Sequence, residues 1–458
     1  MIAATPMARY CRQKQRQRRP RRGRRGPHPL QKGGTMKAKK YDVLVAGAGP
    51  VGLTTALALR HRGLSPLVVE EKPRGATHSY ALALHPRVLH LFAEIGVLQP
   101  IIDRALLVRR VSLYAGDARI ATQTVAAGDD AHPYVAVIGQ DVLEAILVEA
   151  LEARGVEVRW NHRLARFEQD AEQVFATVAE LEERIFGYAA ARFDWDVKDE
   201  YPVQAAFLVG ADGHRSLVRR QLEIGFPEVG PAEHFAVFEF ETTKEIEHEM
   251  AIVLHDEGLG VLWPLPEGRA RWSYRVDPER CPQANREKDH EPVQLVGSGA
   301  FPALDPAFLE HLLKTRAPWF PPAIGHLYWR MLVRFERRLA ERFGTGRIWL
   351  AGDAAHITAP GGIQGMNIGL VEAVDLAGAM LGDLESGRVD KVLGYGERAR
   401  SVWTQLFALT EAVEAEASAP AAIAAHRQAI VLSLPASGND LTDLAGRLGL
   451  RVPIAAGG

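Results

Sequence analysis

The amino-acid sequence predicts an α/β fold that combines a parallel sheet flanked by helices, an interleaved antiparallel sheet and a helical C-terminus. Three observations predict it. A glycine-rich segment separates an apolar β-branched run from a helical pattern within residues 41–62. Short stretches of alternating apolar and polar residues lie between residues 235 and 276. An Ala-rich helical pattern follows residue 391.

Composition and charge describe a globular body preceded by a basic tail. Of 458 residues, 47% are hydrophobic and 24% are charged, which disfavours a disordered or membrane-embedded chain. The formal net charge of -1 hides an uneven distribution, because residues 1–40 carry fourteen Lys and Arg and no Asp or Glu. The remaining 41 basic and 56 acidic residues give residues 41–458 a charge of about −15. We therefore expect no nucleic-acid binding by the folded body.

The basic tail has almost no large apolar residue, so we predict that it is disordered. Its role stays open between an arm for nucleic acid or membrane, a transit peptide, and translation that begins at Met36; we favour Met36. A twin-arginine signal fits poorly because no apolar run follows the arginines. With a start at Met36 the chain would carry 44 basic and 56 acidic residues.

The cysteine and histidine patterns narrow the class of protein further. Cys11 lies in the tail and Cys281 in the body, so we expect no intramolecular disulfide and a reducing, cytoplasmic location. The 16 histidines show no metal-ligand spacing, and we expect no metal site. An uncharged run at residues 43–59 is too short and too rich in glycine for a membrane span.

That uncharged run predicts a strand, a turn and a helix. Residues 41–46 (YDVLVA) are typical of a buried strand, residues 53–62 of a helix, and residues 66–70 (PLVVE) of a second strand. The turn reads G-x-G-x-x-G. This order is that of a Rossmann-like dinucleotide site, in which the helix N-terminus faces the phosphates. The alternative is a glycine-rich turn without a ligand.

Each position of the turn has a mechanical reason. Gly47 permits a tight turn, Gly49 lets a pyrophosphate approach the backbone, and Gly52 lets the helix pack close to the strand. Glu70 ends the second strand, where its carboxylate can accept hydrogen bonds from a ribose.

A second motif, FLVGADGHRSL at residues 207–217, leads an apolar run into a turn. The turn contains Asp212 and Gly213. Ser216 is placed to cap the helix that follows.

A third motif occupies residues 346–373. A short strand at residues 348–351 leads to Gly352 and Asp353, where a carboxylate can reach a ligand over the sheet edge. A loop rich in Gly and Pro follows at residues 358–365. A helix is predicted from Asn367 to Met380.

The three motifs, in this order and spacing, resemble the FAD-dependent aromatic monooxygenases of the p-hydroxybenzoate hydroxylase type over about residues 41–400. The resemblance implies that FAD is bound by Gly47, Gly49, Pro50, Gly52, Glu70, Gln140, Asp212, Gly213, Asp353, Pro360, Gly365, Met366 and Asn367. The first glycines and Glu70 would hold the ADP part, Asp353 the ribityl chain, and the loop from Pro360 to Asn367 would lie beside the isoalloxazine. It implies no particular catalytic side chain.

The resemblance also implies a reaction. NADPH or NADH would reduce FAD, the reduced flavin would capture O2, and a flavin hydroperoxide would hydroxylate an aromatic or polyketide-like ring. The sequence departs from the family pattern at three positions. Tyr80 stands where an arginine is usual, and His78 or Arg87 is a candidate to replace that arginine. Ile363 stands where glycine is usual, and Glu372 where aspartate is usual. The alternatives are therefore a FAD-dependent dehydrogenase or reductase without oxygen insertion, and an RNA- or membrane-associated protein that uses the basic tail.

The predicted domains are the tail (1–40), a discontinuous FAD-binding domain (41–110, 136–225 and 331–400), a substrate domain (111–135 and 226–330) and a C-terminal helical segment (401–458). Residues 179–204 are interpreted as a polar insertion between paired strands. Trp272 and Tyr274 share one strand face, and core packing is favoured over substrate contact. For His356, proximity to FAD and a hydrogen-bonded loop position are both open. We expect a monomer or a homodimer.

Overall fold

A computed structural model of the chain describes residues 39–73, 83–126, 130–186, 192–242, 248–277, 304–320, 324–358 and 362–453. The predictions that concern the basic tail, Cys11, Met36, His78, Tyr80, Cys281 and Pro360 lie outside these residues.

The strands are β1 (Lys40–Ala46), β2 (Pro66–Glu70), β3 (Ala83–Leu84), β4 (Leu106–Val108), β5 (Arg110–Ala115), β6 (Ala118–Thr124), β7 (Val135–Val137), β8 (Val158–Trp160), β9 (His162–Gln169), β10 (Val174–Phe186), β11 (Arg192–Gly210), β12 (Glu228–Thr242), β13 (Glu249–Leu254), β14 (Gly260–Leu265), β15 (Arg269–Arg275), β16 (Ile324–Leu339), β17 (Gly344–Thr345), β18 (Ile348–Leu350), β19 (His356–Ile357), β20 (Glu414–Ala415) and β21 (Leu450–Arg451). The α-helices are α1 (Pro50–His61), α2 (Pro86–Glu94), α3 (Leu98–Ile102), α4 (Gln140–Ala153), α5 (Leu217–Gln221), α6 (Pro306–Arg316), α7 (Gln364–Ser386), α8 (Asp390–Ala412), α9 (Ala421–Ala425), α10 (Arg427–Ser433) and α11 (Asn439–Arg447).

The first sheet has a parallel centre in the order β18-β11-β1-β2-β8. Ala46 lies opposite Val69 on one side and opposite Gly210 on the other, and Gly210 lies opposite Leu350. The carboxyl ends of four strands are therefore level. The predicted strands 41–46 and 66–70 are confirmed. The helix predicted at 53–62 begins three residues earlier, because Pro50 occupies its first turn.

The predicted polar insertion at residues 179–204 was wrong. These residues form the outer parts of β10 and β11, which pair antiparallel from Val174 opposite Ala205 outwards, with β9 on the other side of β10. Opposite charges meet across this ribbon, as between Arg184 and Asp196 at 3.1 Å. A strand is predicted from sequence when apolar and polar residues alternate, because one of its faces is then buried. Where a pair of strands buries little of either face, that alternation is not required.

The second sheet has the order β19-β16-β12-β15-β14-β13-β5-β6 and draws β5 and β6 from the segment before α4. One face packs against α6, where Trp272 and Tyr274 are 1% and 0% exposed, so the prediction of core packing is confirmed. The other face carries Ile252 and Trp263, which belong to the same buried cluster as the core of the first sheet. The two sheets therefore share a core, while the exact domain boundaries stay a prediction.

Helices and short strands complete the C-terminal part. Helix α7 begins at Gln364 and ends at Ser386, longer at both ends than predicted, and packs against α1. Helices α8 to α11 and the β20-β21 pair follow it. In the part of the chain that the structure describes, no helix combines the length and apolar character that crossing a membrane requires.

Candidate functional site

The three sequence motifs meet at one edge of the first sheet. Each follows a strand of the parallel centre: Gly47 follows β1, Ala211 and Asp212 follow β11, and Gly352 and Asp353 come just after β18. Their backbones are linked, because the N–H of Ala211 donates to the carbonyl of Ala46 at 2.8 Å. A crevice at the carboxyl ends of parallel strands is the usual place for a nucleotide.

Two glycines of the first motif, Gly47 and Gly52, lie in close contact with backbone carbonyls, whereas the third, Gly49, faces open space. A Cβ on Gly47, whose φ is +106°, would lie 2.1 Å from the carbonyl oxygen of Ala211. A Cβ on Gly52 would lie 2.0 Å from the carbonyl oxygen of Gly47. A Cβ on Gly49 would meet no atom within 4 Å. Gly49 is the last residue before Pro50 and α1, so the open space lies at the helix N-terminus.

Glu70 is oriented towards this loop by backbone donors. Its Oε2 accepts a hydrogen bond from the N–H of Ala48 at 2.8 Å, and its Oε1 accepts one from the N–H of Lys72 at 3.0 Å. Gln140 begins α4 and donates to Glu144 at 2.8 Å. Burial raises the pKa of Glu144 to about 7, and the negative charge of Glu70 adds to the shift. The predicted residues Glu70 and Gln140 therefore lie in the same region.

Asp212 holds the second turn with one carboxylate oxygen and leaves the other without a partner. Its Oδ2 accepts hydrogen bonds from the N–H groups of Leu217 and Val218 at 2.7 and 3.1 Å. Among the described atoms, the buried Oδ1 has no hydrogen-bond partner. Burial raises the pKa of Asp212. Ser216 caps α5 by accepting from the N–H of Arg219, as predicted.

Asp353 lies in a crevice. Its side chain is exposed, but many protein atoms lie around it. The resulting desolvation raises the pKa of Asp353, and the nearby His356 and His214 oppose this shift. The preceding Gly352 has a φ of +62°, and a Cβ there would lie 3.0 Å from Cγ2 of Val51. The Asp353 turn is therefore packed against the first turn of α1.

Asn367 fastens the start of α7 to the chain around β3. It is 0% exposed; its Oδ1 accepts from the N–H of His85 at 2.7 Å, and its Nδ2 donates to the carbonyls of Ala83 and Ile363 at 2.9 Å. Burial lowers the pKa of His85 to about 4, so the ring is neutral at pH 7 and its Nε2–H donates to the carbonyl of Gly362 at 2.9 Å. Sequence reasoning missed His85, because a lone histidine before a helix carries no motif.

The loop before α7 contains the departure at Ile363. This residue has a φ of +54°, in the left-handed region that favours glycine, and it is 8% exposed. The backbone conformation supplies a physical reason for the glycine that the family pattern carries here. The next predicted residues, Gly365 and Met366, lie in the first turn of α7, and a Cβ on Gly365 would lie 3.3 Å from Cγ2 of Thr358.

A buried cluster of His356, Glu372 and Trp403 lies behind the Asp353 turn. His356 Nε2 lies 2.8 Å from Oε2 of Glu372, and Trp403 Nε1 donates to Oε1 of Glu372 at 2.7 Å. His356 is thus a hydrogen-bonded, buried loop residue, which was one of its two predicted interpretations. Trp403 was missed, since a tryptophan in an Ala-rich helical segment gives no sign of distant contacts.

A separate cavity of about 790 Å³ lies between α7 and α8, lined among others by Val371, Leu406 and Ser437. Neither the glycine loop nor Asp353 lines it. This cavity and the strand-end motifs therefore occupy different places in the fold, although Glu372 of α7 lines the cavity.

The family described as an FAD binding domain matches residues 40–410. The chain belongs to this family of FAD-dependent aromatic flavoprotein monooxygenases. It is 30% identical over 351 residues to rifampicin monooxygenase of Streptomyces venezuelae, covering 75% of this chain and 65% of that protein. It is 30% identical over 395 residues to aklavinone 12-hydroxylase of Streptomyces purpurascens, covering 81% and 68%.

The fold agrees with solved structures of the family. The p-nitrophenol 4-monooxygenase from Pseudomonas putida superposes with a TM-score of 0.66 at 22% identity, covering 90% of this chain and 94% of that chain. For the first curated relatives the covered share of their own length is smaller, 65% and 62%, which is less than two thirds.

The residues at the strand ends fit FAD. Gly49 leaves open space for a pyrophosphate at a helix N-terminus, Asp212 has an unpartnered buried oxygen, and Asp353 presents a carboxylate in the crevice. The predicted FAD-binding fold is confirmed.

Proposed function

We propose that the protein is a FAD-dependent monooxygenase that consumes NADPH or NADH and hydroxylates an aromatic or polyketide-like ring. The observation that supports this most strongly is that the three motifs meet at one edge of the first sheet. The second sheet lies beside it, and the face of the second sheet that carries Ile252 and Trp263, its inner face, shares the core of the first sheet. The names of the relatives support it, since rifampicin, aklavinone and p-nitrophenol are substrates of the aromatic or polyketide kind.

The proposed cofactor contacts follow the geometry. The loop of Gly47, Gly49, Pro50 and Gly52, together with Glu70 and Gln140, would hold the ADP part of FAD. Asp212 and Gly213 would contact the cofactor from the second turn, and Asp353 would bind the ribityl hydroxyls. Gly365, Met366 and Asn367 would lie beside the ring system, with Asn367 acting by fixing the loop. Pro360, outside the described residues, keeps its proposed place beside the ring.

The substrate would lie between the inner face of the second sheet and the loop before α7. Apolar side chains such as Ile252 and Trp263 on this face exclude water from the reaction. The same face carries the buried Arg271, whose Nη2 donates to Oε2 of Glu239 at 2.7 Å. Bound FAD would supply the electron transfer from nicotinamide to oxygen. The chain's own residues position the cofactor and the ring.

The test is to purify the protein, record its flavin absorbance and follow oxidation of NADPH and NADH with phenols and polycyclic aromatics. We expect bound flavin and a ring substrate that accelerates nicotinamide oxidation. A colourless protein that takes up no added FAD would contradict the cofactor assignment. Flavin reduction without any oxygenated product would instead favour the dehydrogenase or reductase alternative.

Location and assembly are part of the proposal. We expect a cytoplasmic enzyme that is a monomer or homodimer, because the body carries one cysteine and the reductant is intracellular. Cell fractionation and analytical ultracentrifugation test these two points.

A further inference from the structure

The carboxylate of Glu372 binds both ends of the turn that carries Asp353. Its Oε2 accepts a hydrogen bond from the backbone N–H of Gly352 at 3.4 Å and lies 2.8 Å from Nε2 of His356. Asp353 lies between these two anchored residues in the sequence. The turn is therefore fastened on both sides of the residue that is proposed to bind the ribityl chain.

Helix α8 completes the surroundings of this carboxylate. The indole N–H of Trp403 donates to Oε1 of Glu372 at 2.7 Å, and its ring stacks on the imidazole of His356 with centroids 3.8 Å apart. The rings of His356 and Phe343 are also stacked, at 6.2 Å. Oε1 of Glu372 thus has a donor from α8, and Oε2 has its partners at the two ends of the Asp353 turn.

All three side chains in this cluster are buried, so losing one of their hydrogen bonds is costly. Glu372 is 5% exposed, and His356 and Trp403 are 0% exposed. Leaving a carboxylate with so little exposure short of a hydrogen bond is costly, so the loss of a partner favours a shift of the turn.

Side-chain length also matters at this position. The Glu372 carboxylate reaches the turn, the imidazole and the indole from one place on α7. An aspartate is one methylene shorter, and with the same backbone its oxygens would fall short of at least one of these partners. The longer side chain of Glu372 therefore allows the contact with Trp403.

We propose that Glu372 and Trp403 are positioning residues that hold the Asp353 turn in place and thereby set the affinity for FAD. The inference rests on the proposed contact between Asp353 and FAD. Neither residue needs to touch the cofactor, because each acts through the turn. The C-terminal helix α8 thus becomes part of the cofactor site.

The test uses Glu372→Gln, Glu372→Asp and Trp403→Phe in the full chain. FAD affinity is measured by quenching of flavin fluorescence on titration into apoprotein, and the melting temperature of each apoprotein is measured alongside. We expect FAD binding to weaken by about tenfold or more for both Glu372 variants, the scale of one lost charge-assisted hydrogen bond. Trp403→Phe keeps a ring against His356 but removes the N–H donor together with the fused pyrrole ring, so its apoprotein melting temperature shows how much of any loss is packing.

A double-variant cycle separates positioning from general stability. If Glu372 acts through Asp353, adding Glu372→Asp to Asp353→Asn should weaken FAD binding by much less than Glu372→Asp does alone. Additive losses would show that Glu372 does not act through Asp353 and would overturn the inference.

The control is Asp375→Asn on the same helix, which breaks an exposed ion pair with Arg398 at 2.9 Å. Its FAD affinity should stay within about twofold of the parent. The inference is overturned if the Glu372 and Trp403 variants also stay within that range while Asp353→Asn weakens binding. If Asp353→Asn has no effect, the proposed ribityl contact fails as well.

Discussion

At the scale of single residues, the half-buried Glu144 and the buried His85 respond to pH in opposite directions. Burial raises the pKa of Glu144 in the folded protein to about 7, from the usual 4.5 of a glutamate. His85 has a folded pKa of about 4, lowered from 6.5. The two effects overlap between about pH 4.5 and 6.5, so they largely cancel in the unmodified protein. Single substitutions should expose each one.

Glu144→Gln should stabilise the protein at pH 8. Between pH 4.5 and 7 the folded state holds a proton that the unfolded state releases, so stability falls as pH rises through this window and the loss persists above it. Gln removes the charge and keeps an acceptor for Gln140. We expect a gain of about 2 kcal/mol at pH 8 and none at pH 4, measured by chemical denaturation at both pH values. An equal change at both pH values would refute the assigned protonation state.

His85→Gln should flatten the acid side of the stability profile. Between pH 6.5 and 4 the unfolded state binds a proton that folded His85 does not, so stability falls as pH falls. This contributes a loss of about 3 kcal/mol by pH 4, which the variant should lack. Denaturation curves at pH 4.5 and 7 measure it, with His61→Gln at the exposed end of α1 as the control. An undiminished acid slope in His85→Gln would contradict the neutral, buried ring.

At the scale of elements, the strand–turn–helix unit separates packing from ligand binding. Gly52→Ala places a Cβ 2.0 Å from a carbonyl oxygen, so α1 must move away from β1. Gly49→Ala meets no protein atom within 4 Å but occupies the space assigned to the pyrophosphate. We expect Gly52→Ala to lower the melting temperature and Gly49→Ala to weaken FAD binding about tenfold or more with little effect on the apoprotein. Unchanged FAD affinity in Gly49→Ala would show that the pyrophosphate does not bind at this loop.

The same scale shows what the sequence could predict. The strands β1, β2 and β12 to β15 carry buried apolar residues in an unbroken or alternating pattern, so these strands could be predicted from the sequence. The outer parts of β10 and β11 could not, because exposed residues such as Arg184 and Lys198 form cross-strand charge pairs there instead of an apolar pattern. Contacts such as Trp403 with Glu372 join residues 31 positions apart and leave no local pattern.

At the scale of the whole molecule, the predicted C-terminal segment 401–458 is tied to the cofactor site. Trp403 binds Glu372 behind the Asp353 turn, and the N–H of Gly362, next to the left-handed Ile363, donates to the carbonyl of Leu432 at 3.0 Å. The motifs predict the strand-end half of the proposed site, whereas these supporting contacts depend on the tertiary fold and carry no sequence pattern.

A chain that ends at residue 400 should therefore lose FAD binding. The truncation removes the Trp403 donor and exposes the loop that precedes α7. We expect a colourless or aggregated protein, with Arg451→Ala in the full chain as a control that breaks only an exposed pair with Glu416. A truncated protein that binds FAD with unchanged affinity would show that the C-terminal segment is independent of the site.

The central claim is oxygen insertion into a ring. The most direct measurement is turnover under ¹⁸O2 with the aromatic compound that most accelerates NADPH or NADH oxidation, followed by mass spectrometry of the product. The monooxygenase assignment predicts a product heavier by one ¹⁸O atom, with the label coming from the gas and not from water. A product that contains no ¹⁸O, formed while nicotinamide is consumed, would contradict it.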